Sequence, residues 1–122
     1  MTIAQNPNTK QYDLEDRTLL FARGVRVWVK SLPRTLSIIE DAKQLVRSSG
    51  SVGANYIEAN EALSKKDFVM RIMISRKEAK ESEYWLKLIE IEDSSLKPMR
   101  LKLLQEAGEL RKIFGAILEK SK

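Results

Sequence analysis

The sequence predicts an all-α chain folded as an antiparallel up-down-up-down four-helix bundle. Three observations predict it. Through four long segments the apolar residues recur at alternating steps of three and four, which sets them on one face of a helix turning about 100° per residue. Glycine and proline are scarce, 5 and 3 among 122 residues, which disfavours a turn-rich sandwich or barrel. Only short breaks join the segments, and short connections between long helices make antiparallel neighbours.

In the first segment Leu14, Thr18, Phe21, Val25, Trp28 and Leu32 carry the stripe. Asp13, Glu15 and Asp16 crowd its beginning and Lys30 and Arg34 its end, as a helix dipole favours. Pro33 is expected to stop the helix after Leu32. The second segment, residues 35–63, carries two apolar series side by side. One runs Ile38, Ala42, Leu45, Ser49, Val52, Tyr56, Ala59, Leu63; beside it run Leu36, Ile39, Val46, Gly50, Gly53, Ile57. So wide a sector must touch more than one neighbour. Ser48-Ser49-Gly50-Ser51-Val52-Gly53 has the composition of a loop, since each glycine costs about 1 kcal/mol against alanine inside a helix. The repeat passes through it in phase, so the stretch is assigned to the helix, with small side chains admitting a close neighbour.

Ser64 is placed to cap a third helix, with Asp67 three residues on. Its stripe is Phe68, Ile72, Ser75, Ala79, Ser82, Leu86 and Ile89, and Lys77 with Glu81 and Glu83 with Lys87 are spaced as ion pairs along its surface. Asp93 through Pro98 makes the last break, proline being tolerable in a first turn. Leu103, Ala107, Leu110, Phe114 and Ile117 define the fourth helix. Residues 1–12 are expected to be a mobile tail, with one domain over 13–120. The tail lacks the apolar stretch of a signal peptide, and no run approaches the roughly 18 uninterrupted apolar residues of a membrane span, so a cytoplasmic location is expected.

The residue types that are missing limit the chemistry. Without cysteine there is no disulfide framework, thiol nucleophile or thiolate metal site. Without histidine there is no Ser-His-Asp triad, imidazole base or His-containing di-iron motif. A carboxylate-only metal site would have to use Glu58, Glu78 and Glu83, residues better explained as partners of lysine or arginine or as lying at a subunit edge. Ser48 through Gly53 lacks the Gly-Lys-Ser/Thr ending and the preceding strand of a phosphate loop. No enzyme, cofactor or metal is therefore expected.

Charge points elsewhere. The chain carries a formal +5, distributed as +3 over residues 1–34, −2 over 35–63, zero over 64–93 and +4 over 94–122. Arg23, Arg26, Lys30 and Arg34 fall within a sector of about 80° opposite the first apolar stripe. With Arg100, Lys102, Arg111 and Lys112 on the last helix they are the candidate contacts to nucleic-acid phosphates. The alternative is a solvated outer face, since no aromatic is interleaved for base stacking. Leu20 and Val27 lie roughly 130° from the main stripe, where a solitary bundle would place polar groups, and are candidate oligomer contacts. Asn55 and Glu58 are expected to hydrogen-bond across the bundle and fix its register.

Four pieces in order carry a family resemblance: Arg47-Ser48; Ser51-Val52-Gly53-Ala54-Asn55-Tyr56-Ile57-Glu58-Ala59; Ser64-Lys65-Lys66-Asp67-Phe68; and Lys77-Glu78-Ala79-Lys80-Glu81-Ser82-Glu83-Tyr84-Trp85-Leu86. Over about residues 14–118 the chain resembles the bacterial four-helix-bundle proteins encoded in intervening sequences of 23S ribosomal RNA. Ala59-Asn60 stands where many relatives have glycine after Glu58. That family is similar in fold to the accessory variability determinant of diversity-generating retroelements, a basic homopentameric barrel that binds nucleic acid and a reverse transcriptase. The resemblance implies a homopentameric ring, no known catalytic residues, and either structured RNA or a nucleic-acid-associated protein as partner. A protein-protein adaptor without nucleic-acid binding is the alternative.

Overall fold

Helix boundaries fall where side chains can satisfy free backbone groups. In the computed structural model, which describes residues 14–122, Thr35 accepts from the Ile38 N–H at 3.4 Å and Ser64 from the Asp67 N–H at 3.1 Å. They open α2 (Leu36–Asn60) and α3 (Lys65–Leu88), which lie between α1 (Leu14–Lys30) and α4 (Lys97–Lys120). A 3₁₀ turn, Ser94–Leu96, precedes α4; Asp93 accepts from both the N–H and the hydroxyl of Ser95 there, which holds its carboxyl below the usual range. There is no strand among the described residues. The expected tail over residues 1–12, and Asp13, lie outside them.

Each helix runs antiparallel to its neighbours, as the order of the bonds between them requires. Along α2 and α3, Arg47 meets Glu81, Ser48 meets Ser82, Ser75 meets Val52 and Arg71 meets Asn55. Glu15 at the start of α1 meets Asn60 at the end of α2, Arg111 of α4 meets Glu83 of α3, and Arg17 of α1 meets Glu106 of α4. The core between them holds Val25, Trp28, Leu45, Ile72, Leu86, Leu110 and Phe114, all essentially inaccessible. Trp28 needs a partner for its indole N–H and donates it to the Leu96 carbonyl at 2.9 Å, fixing the end of α1 to the turn before α4.

The glycine- and serine-rich stretch is helical throughout and packs on two neighbours at once. Toward α1, a Cβ on Gly53 would lie 2.7 Å from Thr18 Oγ1 and 3.1 Å from Thr18 Cβ, so only glycine permits this approach. Toward α3, the buried hydroxyls of Ser48, Ser75 and Ser82 face one another or the opposing backbone. Ser75 donates to the Val52 carbonyl at 2.8 Å. The Ser48 and Ser82 hydroxyls bond each other at 2.9 Å, and each also has a carbonyl of its own helix within reach, Leu45 for Ser48 and Glu78 for Ser82. No hydroxyl in this seam is left without a bond, which is the condition for burying it.

Four expectations need correction. α1 ends at Lys30, because Pro33 offers no N–H; Ser31 and Leu32 tighten onto the carbonyls of Trp28 and Val29, yet Leu32 still reaches the core. α2 ends at Asn60, where Glu61 turns its N–H back to the Glu58 carbonyl, leaving Leu63 outside the helix and fully exposed. Leu36, at the first turn of α2, is also exposed. The ion pairs expected along α3 do not form, because Glu81 and Glu83 reach across to Arg47 and Arg111 instead.

The glycines separate by what surrounds them. Gly53→Ala is expected to lower the unfolding free energy by roughly 1–3 kcal/mol through overpacking against Thr18. At Gly115 a Cβ would find its nearest neighbour, Arg76 Nε, at 4.0 Å. Gly115→Ala should therefore raise stability by about 0.5–1 kcal/mol. Urea denaturation of the two variants checks both signs.

Candidate nucleic-acid interface

Three of the eight candidate phosphate contacts are occupied in holding the bundle together. Arg26 donates to the Ala22 carbonyl at 3.1 Å and to the Val46 carbonyl of α2 at 3.5 Å, lying across Gly50, where a Cβ would come within 3.3 Å of it. Arg100 donates from Nη1 to the carbonyls of Leu86 and Ile89, at 3.0 and 2.6 Å, and so satisfies the end of α3. Arg111 pairs with Glu83, a hydrogen bond that raises the guanidinium pKa. Counting charge along α4 cannot reveal that positions 100 and 111 face α3. Arg23, Lys30, Arg34, Lys102 and Lys112 are exposed and form no ion pair among the described residues.

Leu20 and Val27 lie 65% and 57% exposed on α1, as the outward position in the repeat implies. Beside them Leu19 and Ile57, each 47% exposed, border a groove of about 460 Å³ between α1 and α2, floored by Ala22, Gly50, Gly53 and Ala54. A second groove of about 350 Å³ opens toward the other end of the same pair, among Val29, Ile39 and Val46. Arg26 crosses between the two. Leu20, Arg23 and Val27 recur at steps of three and four, so they share one face of α1. Whatever covers the two apolar side chains also covers Arg23.

Asn55 bridges α2 and α3: its Nδ2 donates to the carbonyl and hydroxyl of Ser51, and its Oδ1 accepts from Arg71 at 3.0 Å. Glu58 does not join it. One turn on, it has rotated to the exposed side of α2, and its carboxylate has no hydrogen bond among the described residues. The three carboxylates weighed as a metal site are dispersed, Glu78 buried against Arg47 at 3.4 Å and Glu83 against Arg111. Among the described residues no acidic group of three is placed to hold a metal ion. No helix there is long and apolar enough to cross a membrane.

Arg17 escaped the sequence reading because its partners lie about ninety residues away. Its Nε and Nη2 hold both Glu106 oxygens, at 2.7 and 2.9 Å, and Nη2 also meets Glu109 at 2.7 Å. The Glu106 bond is the main reason the guanidinium pKa is raised. Glu109 titrates below the usual carboxylate range, held there first by Gln105 and then by Arg17. These bonds tie α1 to α4, the neighbouring helices in least extensive contact.

Arg100→Ala should lower the unfolding free energy by about 2 kcal/mol, since two carbonyls lose a charged donor. Lys102→Ala, fully outside that network, should stay within about 0.5 kcal/mol of the parent. Thermal denaturation of both distinguishes a structural cation from a free one.

Comparison with known proteins adds what geometry alone does not. A family model described as 23S rRNA-intervening sequence protein matches residues 10–116. A crystal structure from Bacteroides thetaiotaomicron, described as a protein with unknown function from the S23 ribosomal protein family, is 30% identical. It superposes with a TM-score of 0.76, over 90% of this chain and 98% of that one. No curated protein matches in sequence.

Proposed function

The chain belongs to the family of 23S rRNA-intervening sequence proteins, and on that footing we propose that it is a non-enzymatic homo-oligomer, a ring of five bundles, that binds RNA through basic surfaces repeated in every copy. The observation that carries the assembly is the apolar face of α1. Leu19, Leu20 and Val27 stand open beside Ile57 and a groove lined by small residues, an arrangement that a second copy would bury. The net charge of +5 per chain supports the choice of RNA, since each ring would multiply it. The engagement of Arg26, Arg100 and Arg111 within the bundle favours the second reading, a protein-protein adaptor whose remaining cations serve solubility.

Sedimentation separates the elements of the proposal. The parent chain should sediment as an oligomer at micromolar concentration, and Leu20→Glu with Val27→Glu should give a folded monomer. RNA affinity should fall steeply with added salt for the oligomer, and by at least tenfold for the monomer, which presents one basic surface where the ring presents several. A parent chain that sediments as a monomer overturns the assembly. An oligomer that ignores RNA at low salt, but retains a stoichiometric protein through nuclease treatment, favours the adaptor.

A further inference from the structure

α3 carries seven basic and four acidic residues, and the two signs are segregated. Its stripe opposite the core runs from Lys66 to Lys87 at steps of four and three, with every position exposed. Lys66, Lys77, Lys80 and Lys87 supply four charges of one sign, and none forms an ion pair among the described residues. Between them stand Met70, Met73 and Tyr84, which are 46%, 56% and 58% exposed. The acidic side chains of the helix have turned away from this stripe. At about 100° per residue, Asp67, Glu78 and Glu81 lie some 60–120° to one side and Glu83 about 100° to the other. Glu78 and Glu81 meet Arg47 and Glu83 meets Arg111, so their charge is directed at α2 and α4.

We infer that this face of α3 binds single-stranded RNA, its lysines tracking the phosphates and Tyr84 stacking on a base. The stripe covers about 30 Å at 1.5 Å per residue, long enough for several nucleotides. A row of cations without intervening acids is complementary to a polyanion and to little else. Tyr84 is the aromatic that the basic residues of α1 lack. Its ring is braced against Trp85, centroids 5.0 Å apart at 77°, so its orientation is fixed before a base arrives. Stacking on an exposed ring with phosphate contacts alongside is the way unpaired strands are held. Glu90, Glu92 and Asp93, just past Lys87, close the strip with negative charge and set where a bound strand must leave.

Position makes this surface compatible with assembly. α3 packs on α2 and α4, diagonally across the bundle from α1. A copy docked on Leu20 and Val27 would bury Arg23 and leave the lysines of α3 open. The inference rests on the RNA-binding proposal above and names the surface that would perform it.

The test is fluorescence anisotropy of the full chain with a short labelled uridine-rich RNA across a salt series. Lys77→Gln with Lys80→Gln should flatten the slope of log K against log salt by about 1.4, two phosphate contacts at roughly 0.7 each. Tyr84→Ala should weaken binding roughly 5- to 150-fold while Tyr84→Phe retains it. All substituted side chains are exposed, and unchanged thermal unfolding verifies the fold. A parent chain that binds with variants indistinguishable from it overturns the surface on α3 and leaves the RNA-binding proposal standing. A parent chain that binds no RNA at low salt overturns both.

Discussion

The structure depends on α2 approaching two helices at once without side chains in the way. On one side this requires the missing Cβ of Gly53 against Thr18; on the other it requires serines whose hydroxyls are bonded across or back to the helix. A helix that carries Gly50 and Gly53 is weak by intrinsic preference. It persists because tertiary contact supplies what local propensity does not, the ordinary source of helix stability in proteins. The buried serine hydroxyls of this seam are all bonded, and each bond also penalises a shift in register. α2 and α3 are therefore the most extensively joined pair, and α1 is held at its edges by Trp28, Arg26 and Arg17.

Those edge attachments determine where the charge goes. Arg17, Arg47, Arg71, Arg100 and Arg111 all reach a neighbouring helix, and their partners are carboxylates, carbonyls or the Asn55 amide. Arginine suits this because its planar fork makes several directed bonds at once. Apart from Arg76, the exposed cations of α3 and of the outer face of α4 are lysines instead, strongly hydrated point charges on flexible stems. Five arginines turn to neighbouring helices and so do five glutamates, so the outer coat, mostly lysine with Arg23, Arg34 and Arg76, keeps the positive balance that the composition implies.

The helices were legible in the sequence because a seven-residue spacing persists through each of them, even through Ser48 to Gly53. Their caps were legible at Ser64, where a hydroxyl precedes an apolar stripe. What stayed hidden was which helix stands beside which residue. Arg100 and Arg111 look like free charge until α3 is placed against them, and Glu81 and Glu83 look like partners of lysines on their own helix until α2 and α4 are. The exposed position of Leu20 and Val27 could be read from phase alone, because the core stripe fixes its own opposite. Glu58 was misplaced for the converse reason: one turn from Asn55 sounds close, but the rotation carries it out of the seam.

The ties that hold α1 also impose a timetable on synthesis. Its tryptophan waits for a carbonyl sixty-eight residues later and its first arginine for a carboxylate eighty-nine residues later. A chain emerging N-terminus first thus leaves the apolar stripe of its leading helix incompletely covered until α4 has left the ribosome. Meanwhile α2 and α3, adjacent in sequence and richest in mutual bonds, can pair as soon as both are free. The leading helix completes its contacts last, and through that interval the stripe that the finished bundle buries is open to a sibling chain as well.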